Sequence, residues 1–510
     1  MKKLLFLLLL TMQLLLSYAN NIQVSNVSVQ AAANTIQFTV SWDNGWRSSV
    51  LNNWDAAWIF VKYKDVDNEW KNLSLNTSGN TIPAGFSGNF YGNGAFLYRS
   101  VAGNGTATIT NVQIGIPSQQ AQGIFDIKVF ALEMVYVPQG TFYAGDGNSG
   151  TGRYMGDAAN PSSVGTVFTN GNGNLVYDPL VSPGGGYLNA MPVAFPKGYN
   201  AFYMMKYELS QGAYRDFLNT LTYAQQVNHT IVAPSSAIGS SALVATAGAN
   251  RNYLEIKTSG AAGNTAAEYG CDANGNNLYD EVSDGEWVAC NYLNWPDMAA
   301  YLGWSGLRPM TELEFEKAAR GIQLPVAGEF IWGNNVVAGG ILNLAGTNQN
   351  SEIPTNASPS LGSANFFWTY PNSPFNGPLR NGIFATATSN RITSGGGFYG
   401  AMELGGNLTE RVVSTANGQT FSSNLNLASG LTTNGYYSVA AADGWPGAAV
   451  GNGYFVDGTQ NAIGLMDRGG SWSSVFTDLK TSYRDVNLLY TNTAVVRDAF
   501  HGCRGVRTAP

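Results

Sequence analysis

Few residues in this chain could do metal or nucleophilic chemistry. There are three cysteines (Cys271, Cys290 and Cys503) and two histidines (His229 and His501). A non-haem iron triad takes two histidines and a carboxylate. His229 and His501 lie far apart and carry no HExxH-type spacing, so both read as surface or hydrogen-bonded histidines. No GxSxG or Walker A pattern occurs. Cys271 and Cys290 flank a short polar loop and are the expected disulfide pair. Closing a loop of that length stabilises by about 3 kcal/mol in the chain-entropy account. Cys503 is then a lone thiol.

The loop itself, "CDANGNNLYDEVSDGEW", holds a second chemistry. Asp272, Asn274, Asn276 and Asp280 take the first, third, fifth and ninth places of an EF-hand-like calcium loop. Its glycine comes two places early, and Ser283 stands where a bidentate glutamate belongs, leaving Glu281 or Asp284 to complete the set. The alternative is an Asn/Asp-rich turn.

Composition frames these residues. Charged residues make up 12% of 510, about half the usual share, and 61 glycines help fill the gap. That mix favours strands and long packed loops. A net charge of -7 argues against a nucleic-acid partner, which needs a basic face. The opening "MKKLLFLLLLTMQLLLSYAN" reads as a signal peptide over residues 1–19, with small residues Ser17 and Ala19 before the cut at Asn20. No later stretch is long and apolar enough to span a bilayer, so the expected mature protein is exported: periplasmic, cell-surface or secreted.

Two blocks of elements follow. Over 20–131, "NIQVSNVSVQ", "TIQFTVSWD", "AAWIFVKYKD", "TATITNVQIGI" and "IFDIKVFAL" alternate or run β-branched between Asn/Gly turns, which predicts an all-β sandwich. From 132 to 510 the pattern is α+β with much irregular structure. "YELSQGAYRDFLNTL" predicts a helix capped by Ser210, with Tyr214, Phe217, Leu218 and Leu221 on one face. "TELEFEKAARG" predicts another, with a Thr311/Glu314 capping box and Gly321 as its stop. Residues 229–290 lack periodicity and read as an insertion.

"MVYVPQGTFYAGD", "YELSQGAYRDFL", "LRPMTELEFEKAARG", "IWGN", "MELGGNLTERV", "DRGGSW" and a terminal "GVR" stand in an order that resembles the sulfatase-modifying-factor family, named for the formylglycine-generating enzymes. The resemblance covers roughly 132–510 minus the insertion and implies a C-type-lectin-like core. Active members oxidise a substrate cysteine with oxygen, using a copper(I)-binding cysteine pair just after "RGGS". Here those places hold Ser474 and Leu479, and hydroxyls do not replace thiolates on soft copper(I), so no copper is expected.

The resemblance also implies structural calcium. One set maps to the side chains of Glu403 and Glu410 with the carbonyls of Gly406 and Leu408. A second maps to Asn343, the Leu344 carbonyl, Asn381 and the Ile383 carbonyl, with Asn381 replacing the family's acid. The segment after the double glycine forms an exposed face in the lectin-like fold, and some relatives of that core use it purely for binding. Its Ser473, Ser474, Tyr483, Asn487, Tyr490 and Asn492 suit an adaptable contact surface, whereas Arg484 and Arg507 are expected to be buried organisers. The implied function is exported, non-catalytic binding of a protein, glycan or cell-envelope partner, as a free protein or an assembly subunit. The alternative is an oxidoreductase of the formylglycine-generating type using Cys503 or another metal.

Overall fold

The chain is seen in a computed structural model. The described residues are 21–509, leaving out 119–125, 147–154, 158–164, 168–174, 178–194, 368–374, 387, 414–430, 438–464 and 485–495. The leader and three of the expected contact residues (Asn487, Tyr490 and Asn492) lie outside them.

Alternating residues in the first block build strands β1 (Gln23–Gln30), β2 (Thr35–Trp42), β3 (Asp55–Lys64), β4 (Trp70–Asn72), β5 (Phe86–Tyr91), β6 (Gly94–Arg99), β7 (Ala107–Gly115) and β8 (Ile127–Val137). Strands β1, β2 and β7 form one sheet. The other strands of the block enter a sheet of eight that does not stop at the expected boundary. Its order runs Arg308–Pro309, Gly505–Thr508, Phe202–Met205, β8, β3, β6, β5, with β4 on β3. The break expected at 131 therefore falls inside β8, which pairs with β3 from Asp55↔Val135 to Tyr63↔Ile127.

The two-residue period of β3 explains how one sheet serves two cores. Ala57, Ile59 and Val61 face the three-stranded sheet and pack with Ile36, Phe38, Ile109 and Ile114. Ala56, Trp58 and Phe60 face the other way into the larger core. Trp58 is fully buried, and its indole N–H donates to the Ser305 carbonyl at 2.7 Å. Arg507 stacks over the same ring at 4.5 Å.

Among the described residues there are four helices of seven residues or more: α1 (Gln211–Leu218), α2 (Tyr223–His229), α3 (Trp295–Ser305) and α4 (Glu312–Arg320). The predicted caps are present. Ser210 Oγ accepts from the Ala213 amide at 3.2 Å, and Thr311 and Glu314 close a reciprocal box. Such caps are worth about 1 kcal/mol each. The stretch 229–290 is no loose appendage: His229, Leu254, Ile256, Tyr269 and Cys271 are buried in the main core. Among the described residues, no helix is long and apolar enough to cross a membrane.

Candidate functional site

The segment after the double glycine is held from beneath by charge. Strand Leu465–Arg468 pairs with Thr409–Val413, bringing Glu410 opposite Arg468. The chain then turns through Gly469 (φ +84) and Gly470 (φ +67), a region that favours glycine. A Cβ at 469 would meet the Leu404 carbonyl at 2.4 Å. Glu312 and Glu316 of α4 reach up to both ends of the segment. Glu312 Oε2 accepts from Arg468 at 3.2 Å and from Arg484 at 2.6 Å. Glu316 accepts from Arg320 at 2.7 Å and from Arg484. Arg320 also pairs with Glu329 and donates to Ser482 Oγ at 2.6 Å. Three carboxylates thus meet three guanidiniums, all essentially excluded from water. Burial alone would raise the Glu316 carboxyl, but Arg484, Arg320 and Arg468 reverse this and hold it far below the usual range.

Above this platform the two expected redox places diverge. Leu479 is fully buried in the core. Ser474 is half-buried; its Oγ accepts from the Ser471 amide at 2.9 Å and its carbonyl from Phe367. Ser473 and Tyr483 are half-buried too, while Val475 and Phe476 between them are exposed. Phe476 and Lys480 line a shallow hollow with Phe330 and Val337. Arg484 and Arg507 are buried organisers in this structure.

The expected Cys271–Cys290 bridge is not formed. Cys271, Cys290 and Cys503 are three buried free thiols in the main core. Cys271 ends the strand Glu268–Cys271 opposite Leu254, and the Cys290 amide is tied to the Leu209 carbonyl, so each packs as a small apolar group. Burial pushes all three thiols up, away from the reactive thiolate.

The mapped calcium residues fare differently from one another. Glu403 Oε1 accepts from the Gly382 amide and Glu410 Oε1 from Arg504, while Oε2 of each is buried without a donor. Beside them Asn407, at φ +64, donates to Glu208, which also accepts from the Leu408 amide at 2.9 Å. Burial, with Glu410 and Arg504 acting in opposite senses, leaves Glu208 well above the ordinary carboxylate range, and Glu403 is pushed up to about 7. The second set spans a hairpin and the stretch 381–383. Asn343 is exposed on a hairpin, where Leu344 pairs with Pro354, whereas Asn381 is buried and donates to the Glu208 carbonyl at 2.7 Å. Ile383 packs in a small cluster with Leu342 and Phe384, and Leu344 packs against the same cluster.

The loop of the third set is braced differently from an EF-hand. Asp280 gives one oxygen to Arg215 at 2.7 Å and the other to Lys257 at 3.3 Å. Asp272 caps the amides of Asn276 and Asn277, and Asn274 donates to Asp284 at 2.8 Å. Arg215 and Lys257 thus share Asp280, the ninth-place acid of the expected calcium loop.

Both histidines are hydrogen-bonded. His229 lies between Asp297 at 2.8 Å and the Gly435 carbonyl at 2.9 Å. His501 lies between Asp498 and Asp467, each at 2.8 Å. Burial and Arg411 would lower the His501 pKa; the two aspartates outweigh them and raise it.

Sequence reading missed Glu208, Asn407, Glu312, Glu316 and Arg504. A signal was there: in a chain so poor in charge, an acid inside "YELS" or "ELEFE" is flanked by residues that must be buried. A search of curated proteins finds no match. A family model described as a sulfatase-modifying factor enzyme 1-like domain matches residues 128–509, beginning one residue into β8. That match takes in most of the chain, which therefore belongs to the sulfatase-modifying-factor family.

Proposed function

We propose that this chain is an exported, non-catalytic member of its family that binds a protein, glycan or other cell-envelope partner, alone or as an assembly subunit. One observation carries the reading. Where active relatives are expected to hold a thiol pair, this chain has Ser474 and a core leucine, Leu479, while the residues between expose Val475 and Phe476. The buried, protonated Cys503 offers the oxidoreductase alternative no accessible thiolate. A C-type-lectin-like core preceded by a β-sandwich is the fold this reading assumes. The charged platform beneath 468–484 supports it, since a binding face gains affinity from rigid support.

The test is binding to envelope fractions and glycan arrays by the full chain and by a Val475→Ser/Phe476→Ser double variant. Both side chains are exposed, so the variant should melt within a degree or two of the parent. Its affinity should fall roughly tenfold or more, as for central apolar anchors. Equal affinity in a folded variant would move the face elsewhere.

Calcium at the first mapped set belongs to the same proposal. Glu403 and Glu410, with the carbonyls of Gly406 and Leu408, would hold it; two buried carboxylate oxygens without donors are what a hard cation satisfies. Its contribution would be structural. Chelation at matched ionic strength should lower the melting temperature. Glu410→Ala should start lower and lose most of its response to chelator. An unmoved melting curve for the parent chain would remove calcium from the account.

A further inference from the structure

Strand β8 is paired on its second edge for only part of its length. On one side it runs against β3 from Ile127 to Val135. On the other, the strand Phe202–Met205 takes only Met134 to Val137. The Lys206 amide adds a last bond to the Glu133 carbonyl at 2.8 Å, and the chain then turns away into α1. Antiparallel alternation fixes where the remaining backbone groups of β8 point. The Lys64 amide donates to the Asp126 carbonyl, and the Tyr136 amide donates to that of Trp54. Even-numbered residues of β8 therefore turn their N–H and C=O groups to β3. Ile127, Val129 and Ala131 turn theirs the other way, where no backbone group among the described residues pairs with them.

That bare edge lies in a cleft. A cavity of about 430 Å³ is lined by every residue from Ile127 to Leu132, all of them half-buried. A strand showing the cavity one face would contribute every second residue, so the unbroken run means that its edge opens there. A second hollow of about 270 Å³ continues the cleft past Met205 and Leu209, sharing Ala131, Leu132 and Ala213 with the first. The cleft is thus the slot that the strand Phe202–Met205 leaves empty by turning into α1. Its walls include Phe130 and Trp304, with Val24 of β1 and Ala213 of α1. A row of amide donors and carbonyl acceptors at strand spacing is complementary to another main chain. A small apolar molecule would leave that row unanswered. The same edge on a second copy suits it less well, because β1 and α1 both wall the cleft. One side chain adds a charge preference. The Lys128 ammonium lies over the Trp70 ring at 4.9 Å and pairs with no carboxylate among the described residues. An acid on an added strand would answer it.

We propose that β8 takes an extended segment of a partner protein along Ile127–Ala131, as an added strand with apolar residues packed on Phe130 and Trp304 and an acid beside Lys128. This surface is separate from the face after the double glycine. The first measurement is hydrogen exchange of the full chain, read residue by residue by fragmentation mass spectrometry. The amides of Ile127, Val129 and Ala131 should exchange much faster than those of Lys128 and Phe130, which β3 protects. The second is fluorescence anisotropy with a short labelled peptide that alternates Val and Thr around one central Asp. It should bind saturably and slow exchange at Ile127, Val129 and Ala131. The same peptide N-methylated at alternate amides, on the side that would meet β8, should bind roughly tenfold or more weakly. Lys in place of its Asp should cost a few fold. Val129→Pro removes an outward N–H without touching the ladder to β3 and should weaken binding to a similar extent. Should that variant fail to fold, Ala213→Leu narrows the cleft from α1 and should weaken binding as much. The Val475→Ser/Phe476→Ser variant should bind the peptide as the parent does, which separates the two surfaces. The proposal is overturned if Ile127, Val129 and Ala131 are as protected in the free chain as their neighbours, or if the N-methylated peptide binds as well as the unmethylated one. It is also overturned if Ala213→Leu binds as tightly as the parent, or if β8 instead joins a second copy, seen as a concentration-dependent dimer that Val129→Pro abolishes.

Discussion

Glu316→Ala is expected to destabilise the folded chain by about 3–5 kcal/mol, the usual cost of removing one partner from a buried ion cluster. Three guanidiniums, Arg320, Arg468 and Arg484, converge on this carboxylate, and all four side chains are fully buried. Without it, Arg484 and Arg468 share Glu312 and Arg320 keeps Glu329, so three buried guanidiniums are left with two carboxylates. The same carboxylate makes the fold acid-labile. Its folded pKa lies below its unfolded one, so its stabilisation is complete above the ordinary glutamate range and is lost as pH falls. Chemical denaturation should show a much lower midpoint for Glu316→Ala at pH 7, and a gap to the parent that narrows toward pH 3. A variant within 1 kcal/mol of the parent at pH 7 would mean that the platform is not what holds the segment 468–484.

The second large effect concerns the shared sheet. Deleting residues 20–131 leaves nearly all of the matched family domain, yet that fragment should not fold. Strand β8 would lose its whole ladder to β3, and the larger core would lose Trp54, Ala56, Trp58, Phe60 and Phe96. Four of those are aromatic, and truncating even one buried aromatic residue costs about 3–5 kcal/mol. Arg507 would also lose the ring beneath its guanidinium and the Asn93 oxygen that accepts from it at 2.9 Å. The intact chain should melt in one transition, whereas the fragment 132–510 should show no near-ultraviolet tryptophan signal and no cooperative melt. A cooperatively folding fragment would show that the first block is dispensable.

These two effects differ in how readable they were. The helix caps at Ser210 and Thr311 could be read directly, because capping chemistry is local. Landmark order gave the family, for the same reason: each motif is a short local signature. The sheet that joins the blocks was not legible. "AAWIFVKYKD" is apolar on both faces, which marks a strand buried on both sides, but nothing local says that its partner on one edge is "IFDIKVFALEMVYV". The bracing of the loop at 271–287 was hidden for a related reason. Its Asn/Asp spacing is local, but the partner that braces Asp280, Arg215, stands some sixty residues earlier in the chain. The cysteine pairing rested on sequence proximity, and all three thiols are free and buried in the core instead. The buried acids Glu208, Glu312 and Glu316 were visible as isolated charges in apolar motifs; their arginine partners, far along the chain, were not.

The central claim is that the face after the double glycine binds and does not oxidise. It is tested most directly by anaerobic titration of the reduced full chain with copper(I), followed by oxygen uptake in the presence of a cysteine-containing peptide. Because Ser474 and Leu479 stand where a thiol pair would be needed and Cys503 is enclosed in the core, the account predicts no stoichiometric tight copper and no uptake above the peptide-only control. One equivalent of tightly held copper(I), with oxygen consumed in step with loss of the peptide thiol and abolished by Cys503→Ser, would contradict it.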